Sequence, residues 1–154
     1  MKNAIEVKNL TFTYEGYGDT PDVTALKDVS FTVPEGSFTA ILGHNGSGKS
    51  TLASVLCMLE EPQSGEVVIY GKKMTGEGVS DEDIFEARRR VGMVFQNPDN
   101  QIVASVVEED VAFGCENLGI PSAEIRKRVD DALETVGMKK YARHSPHKLS
   151  GGQK

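Results

Sequence analysis

The arrangement of apolar and polar positions changes twice along the chain. Ile5-Glu6-Val7-Lys8-Asn9-Leu10-Thr11-Phe12-Thr13-Tyr14 alternates in stretches and is rich in β-forming residues, which predicts a strand. Glu15 to Asp22 collects Gly, Asp and Pro and reads as a loop. Val29 to Val33 alternates again, and Pro34-Glu35-Gly36 turns the chain. Phe38-Thr39-Ala40-Ile41-Leu42 is a short apolar run of the kind that forms a strand buried on both faces. The period then lengthens: Leu52, Val55, Leu56 and Leu59 stand at i, i+3, i+4 and i+7, an amphipathic helix that Pro62 stops. Gly65 to Tyr70 and Val91 to Gln96 predict further strands. Between them Asp81 to Arg90 predicts a short helix with Ser80 as N-cap and arginines near its end. From Ser122, as N-cap, the pattern is helical: Ile125, Val129, Leu133 and Val136 share a face and Gly137 is the expected C-cap. Strands dominate early and helices late, an α/β layout with a helical arm after about residue 98.

Composition narrows the class. The 154 residues are 38% hydrophobic with 16 Gly, which excludes a disordered, collagen-like or coiled-coil chain. The net charge of −6 divides into +4 over residues 122–154 and −10 before them, a pattern expected of solvated faces. An acidic total with no basic patch interleaved with aromatics argues against nucleic acid as a partner. Cys57 and Cys115 stand far apart with no CxxC, so they are expected as buried thiols rather than a disulfide or zinc site. The longest apolar run, residues 53–59, is too short to cross a membrane, and residues 1–6 carry no apolar core of a secretory signal, so an intracellular protein is expected.

One constellation carries chemistry. Gly43-His44-Asn45-Gly46-Ser47-Gly48-Lys49-Ser50-Thr51 satisfies G-x-x-x-x-G-K-[ST], with an apolar run before it and an amphipathic helix after it. Gly43, Gly46 and Gly48 permit positive φ and a bare backbone close to a ligand. Successive amides then form an anion nest at a helix N-terminus, whose dipole favours phosphate. Lys49 is a flexible cation able to reach β- and γ-phosphates, and the Ser50 hydroxyl is a hard ligand for Mg²⁺. A chain of this length matches the pattern by chance roughly 0.5% of the time. His44 is expected to face solvent, and His144 and His147 to be surface residues. Thr51 stands where a dinucleotide fingerprint needs its last Gly, which excludes a nicotinamide dehydrogenase. The D-x-x-G and N-K-x-D motifs of small GTPases do not occur in the sequence.

Leu149-Ser150-Gly151-Gly152-Gln153 then decides between nucleotide machines. With this pentapeptide the chain resembles the ATP-binding cassette (ABC) ATPases, whose signature it is. The resemblance implies an α/β fold: a P-loop core with an N-terminal antiparallel β subdomain over residues 1–98 and a helical subdomain over 99–154. It implies ATP and Mg²⁺ as ligands, Gln96 as the glutamine that contacts Mg²⁺ and attacking water, and Tyr14 as the aromatic residue on which adenine stacks, with Tyr17 a rival. It also implies that Ser150, Gly151 and Gly152 cap the ATP of a second subunit. Gln96-Asn97-Pro98-Asp99-Asn100-Gln101, Val107 to Gly114 and Glu116-Asn117-Leu118-Gly119 are similar to the ATPases of energy-coupling factor (ECF) transporters. That similarity implies a homo- or heterodimeric ATPase at the cytoplasmic face of the membrane, working with a transmembrane coupling subunit and a substrate-capture subunit. Family members continue beyond the signature with a Walker B aspartate and a catalytic glutamate. No apolar run ending in Asp-Glu occurs in this sequence, so part of the core sheet and hydrolysis by these 154 residues alone are not expected. A soluble, non-transport ABC ATPase and a non-catalytic nucleotide-binding fragment are the alternatives.

Overall fold

A computed structural model describes residues 2–154, save the side chain of Pro98, as two compact units, one ending at Met93 and the other spanning Val94–Lys154. This division places Gln96 with the helical unit.

In the first unit, β1 (Asn3–Tyr14) is flanked by β2 (Val23–Pro34) and β3 (Ser64–Ile69), and the two-residue β4 (Lys72–Lys73) pairs with β3. Every pairing is antiparallel; Val7 faces Phe31 on one side and Val67 on the other. Val7, Leu10 and Phe12 are all buried, although strict alternation would put Leu10 on the opposite face from Val7. The register between β1 and β2 shifts between Val7 and Leu10, where Asn9 takes φ 48°. That extra residue is a bulge, and it returns Leu10 to the core side. Side chains hold it: the Asn9 amide donates to Ser30 Oγ at 2.8 Å, and Asn9 Nδ2 donates to Asp28 Oδ1 at 2.7 Å. The turn between β3 and β4 carries Tyr70 and Gly71 at φ 48° and 81°, the two positive values of a type I′ hairpin.

One face of this sheet is covered by α1 (Lys49–Leu56) and α2 (Asp81–Arg88). Leu52, Val55 and Ala87 join Val7, Leu10, Phe12, Leu26, Val67, Ile69 and Met74 in one buried cluster. Burying each of the larger side chains contributes about 1.5–3 kcal/mol. The helix on residues 52–59 ends earlier than Pro62 predicts. Met58 takes φ 54°, its amide donates to the Val55 carbonyl at 3.0 Å, and the Leu59 amide donates to Ser54 at 2.9 Å. This is a Schellman motif with Met in the left-handed position. The α2 N-terminus is capped by Ser80, as its sequence predicts. β2 begins at Val23, well before the alternation at Val29, because Val23, Thr24 and Leu26 find partners in Tyr14, Thr13 and Phe12.

Two expected strands are not strands. Phe38–Leu42 and Val91–Phe95 are irregular, and no ladder pairs them among the described residues. Phe38 is 98% and Leu42 90% exposed. A short apolar run becomes a doubly buried strand only when parallel neighbours and covering helices supply both its hydrogen bonds and its packing. Here none of the four strands plays that part.

In the second unit α3 (Val107–Asn117) packs on α4 (Ser122–Thr135) through Val107, Ala112, Val129 and Leu133. Ile125, Met138, Ala142 and Leu149 close around them. Arg126 ties the two helices, donating to Glu108 and Asp130 at 2.9 Å each; these contacts raise its own pKa, and Arg126 holds the Asp130 carboxyl below its ordinary value. α4 opens on Pro121 rather than Ser122, which is already its first helical residue. Pro121, at φ −58° and ψ 140°, fixes the extended entry while Ser122 makes no side-chain cap. At the other end Val136 is the cap and Gly137, at φ 68°, follows it; the Met138 amide donates to Leu133 at 2.7 Å and the Gly137 amide to Glu134 at 3.0 Å. Cys57 and Cys115 are free and half-buried rather than fully buried, and burial pushes the Cys57 thiol pKa up.

Candidate functional site

The loop of residues 43–48 runs into the N-terminus of α1. Gly48, at φ 84° and ψ 4°, is the helix N-cap, and the Leu52 amide donates to its carbonyl at 2.8 Å. No L-residue fits easily there, since a Cβ on Gly48 would lie 2.4 Å from the Ala25 carbonyl oxygen. The close passage of β2 beneath the loop therefore fixes where the helix begins. Gly46, at φ 79°, gives the loop its second left-handed turn, and the Ser47 amide donates to the His44 carbonyl at 3.2 Å across it.

Lys49 folds back along the loop. Its ammonium donates to the carbonyls of Gly43 at 2.9 Å and His44 at 2.7 Å, and reaches Ser47 Oγ at 3.3 Å. The cation thus rests against the loop on two backbone acceptors. Residues 43–47 are exposed, as is Ser50. Among the described residues, no carbonyl or side-chain oxygen accepts from the backbone amides of Gly46, Gly48, Lys49 or Ser50. Amides without acceptors at a helix start, with a cation beside them, fit a polyphosphate, and the Lys49 ammonium, whose donors are engaged within the loop, would exchange those bonds for phosphate oxygens. His44 is exposed, with Nδ1 2.8 Å from the Asn45 carbonyl oxygen.

Tyr14 ends β1, 43% exposed, and its hydroxyl lies 3.1 Å from Thr51 Oγ1 on the first turn of α1. Phe12 meets its ring edge-on at 4.8 Å between centroids. Tyr17 is 95% exposed on the following loop. Tyr14, the phosphate loop, Lys49, Ser50 and Thr51 thus belong to one unit, whereas Gln96 and the 149–153 segment belong to the other. Gln96 is exposed, and the turn after it is shaped by Asn97, whose Oδ1 accepts the Asp99 amide at 3.0 Å.

Leu149 is half-buried against the α3–α4 core, while Ser150, Gly151 and Gly152 are exposed. Gln153 Oε1 accepts both the amide and the hydroxyl of Ser150 at 3.0 Å, and its Nε2 donates to the Tyr141 hydroxyl at 3.1 Å. The Gln153 amide donates to the Ser150 carbonyl at 2.9 Å, and Lys154 pairs with Asp99. The spacing Ser-x-x-Gln is that of a capping box, a signal in the sequence that points to Gln153 as the residue shaping this turn, whereas the bond to Tyr141 joins residues 12 apart and has no local signal.

A phosphate loop at a helix start, an aromatic at its flank and a Leu-Ser-Gly-Gly-Gln turn define a nucleotide-binding cassette. The ABC transporter family model matches residues 26–154, and the chain belongs to that family. It is 51% identical over 153 residues to the energy-coupling factor transporter ATP-binding protein EcfA1 of Clostridium perfringens, covering 99% of this chain and 53% of that protein. EcfA1 of Streptococcus pneumoniae is 49% identical over 154 residues, with 100% of this chain and 53% of that protein covered. The structure matches that of cbiO1 from Clostridium perfringens, described as part of the ABC transporter complex cbiONQ, with TM-score 0.82 and 37% identity over 99% of this chain and 58% of that one. It also matches the ATP-binding cassette MJ0796, in a dimeric post-hydrolysis state bound to ADP and Pi, with TM-score 0.80 and 34% identity over 97% of this chain and 64% of that one. The chain spans about half the length of the curated relatives it matches.

Proposed function

We propose that the chain is the phosphate-gripping and signature-bearing part of the ATPase subunit of an ECF-type importer, driving uptake of a vitamin or metal ion through a membrane partner. The observation that carries the reading is the loop of residues 43–51, in which the amides of Gly46, Gly48, Lys49 and Ser50 have no acceptor among the described residues and the Lys49 ammonium is braced on two carbonyls. Identity near 50% to proteins named as energy-coupling factor ATPases supports the subtype. The residues have separate tasks. The amides of Gly46, Gly48, Lys49 and Ser50 and the Lys49 ammonium hold the β- and γ-phosphates. Ser50 would supply a hydroxyl oxygen to Mg²⁺, which offsets phosphate charge when bound, and the role of Gln96 toward Mg²⁺ and attacking water is the one that the family resemblance implies. Tyr14 carries the base, for which its position beside Thr51 makes it a better candidate than Tyr17. Ser150, Gly151 and Gly152 meet the nucleotide of a second ATPase subunit, so binding energy closes a dimer and shifts the membrane subunits between states. The subunit works at the cytoplasmic face of the membrane.

Titration of the protein with a fluorescent ATP analogue tests the core of this. Lys49→Ala removes a charged donor worth about 1.5–3 kcal/mol. Affinity is expected to fall at least about tenfold. Retained affinity would remove Lys49 from the site and the reading with it.

A further inference from the structure

The Tyr14 hydroxyl has a specific partner, and the base-stacking role alone does not call for one. Stacking uses the face of a ring, and a phenylalanine would supply that face as well. In this structure the hydroxyl reaches across from the end of β1 to Thr51 Oγ1 at 3.1 Å, and Thr51 is only 8% exposed. Thr51 is one residue beyond Ser50, in the first turn of α1, so its side chain moves with the phosphate loop. The ring is gripped at a second point by Phe12, edge-on with an interplanar angle of 77°. Backbone, edge and tip together fix the ring's position and tilt and leave the rest of it open, at 43% exposure. Tyr17, 95% exposed, has no such bracing.

We propose that Thr51 is a positioning residue that acts through the Tyr14 hydroxyl, a strut that sets the aromatic platform at a fixed place relative to the phosphate loop. The inference rests on the nucleotide-binding reading above. A base and a triphosphate are joined through a ribose of limited span, so a platform held in place before binding spares the ordering cost that a free side chain would add. The strut therefore strengthens binding of the whole nucleotide and does nothing for the phosphates alone.

The test compares ATP with inorganic tripolyphosphate as ligands of the intact protein, by calorimetric titration of the wild type, Tyr14→Phe, Thr51→Val and the double variant. Tyr14→Phe keeps the ring and removes only the hydroxyl; it is expected to weaken ATP about three- to tenfold, the worth of one hydrogen bond, while tripolyphosphate binding stays as in the wild type. The double variant should lose no more ATP affinity than Thr51→Val alone, because the same bond is removed in each. Unchanged ATP affinity in Tyr14→Phe would overturn the strut and leave the nucleotide site standing. An equal loss for both ligands would overturn it too, since the bond would then serve the loop and not the platform. A wild-type protein that binds neither ligand would refute the nucleotide reading itself.

Discussion

Lys72 of β4 and Asp83 of α2 form an ion pair, and the same Asp83 carboxylate accepts the Ser80 amide at 3.1 Å at the start of the helix. One carboxylate thus both closes the capping box of α2 and ties that helix to the hairpin of β3 and β4. The bond from Lys72, then those from the Ser80 backbone and side chain, lower the Asp83 pKa to about 2. An unfolded chain would hold it near 4. Because the folded value is the lower one, this contribution is complete above about pH 4 and is lost as pH falls toward about 2. Urea melts of the wild type and Asp83→Asn across that window are expected to converge at the acid end. A stability difference that does not change between pH 5 and pH 2 would contradict the pairing.

Gln153 should matter to the shape of the signature turn before any partner arrives. Gln153→Ala removes the acceptor of the Ser150 amide. Exchange of that amide with deuterium is expected to quicken about fivefold, as for one lost hydrogen bond. Gln153→Glu keeps an acceptor and should keep most of the protection.

The two left-handed glycines of the phosphate loop differ in what surrounds them. A Cβ on Gly46 meets nothing within 4 Å, so Gly46→Ala bears only the cost of the conformation, about 1–2 kcal/mol. On Gly48 the same atom strikes backbone at 2.4 Å. Thermal melts should therefore show a clearly larger loss for Gly48→Ala than for Gly46→Ala, and equal losses would mean that β2 does not set the start of α1.

Grip on a triphosphate is not by itself hydrolysis. These 154 residues contain no apolar run ending in Asp-Glu that would supply a second metal anchor and a water-orienting base. A phosphate-release assay on them alone is expected to show no turnover that depends on Lys49.

What the sequence disclosed and what it hid follow from the range of the interactions involved. The loop of residues 43–51, the cap at Ser80 and the stop at Gly137 are local, set by residues within a turn or two of one another, and each was legible. The antiparallel strands of the first unit are legible where alternation is clean, whereas residues 23–26 of β2 are held by pairing with residues 12–14 rather than by a pattern of their own. Phe38–Leu42 and Val91–Gln96 have strand sequences without strand partners among the described residues, and no local pattern reveals whether a neighbour is present. α3 escaped as a distinct helix because its N-terminal amides are taken up far along the chain: Val107 donates to the His144 carbonyl at 3.0 Å and Glu108 to that of Ala142 at 2.9 Å. The Tyr14–Thr51 bond lay equally out of reach, joining residues 37 apart.

The bare ribbon at Phe38–Leu42 has a bearing on how such a polypeptide is made. It is uncharged, β-prone and free of proline, the makings of an aggregation seed. A ribosome that has released these residues and little more presents that ribbon to every other nascent chain nearby. Chaperone capture is the fate this predicts for such a segment until strand neighbours pair with it.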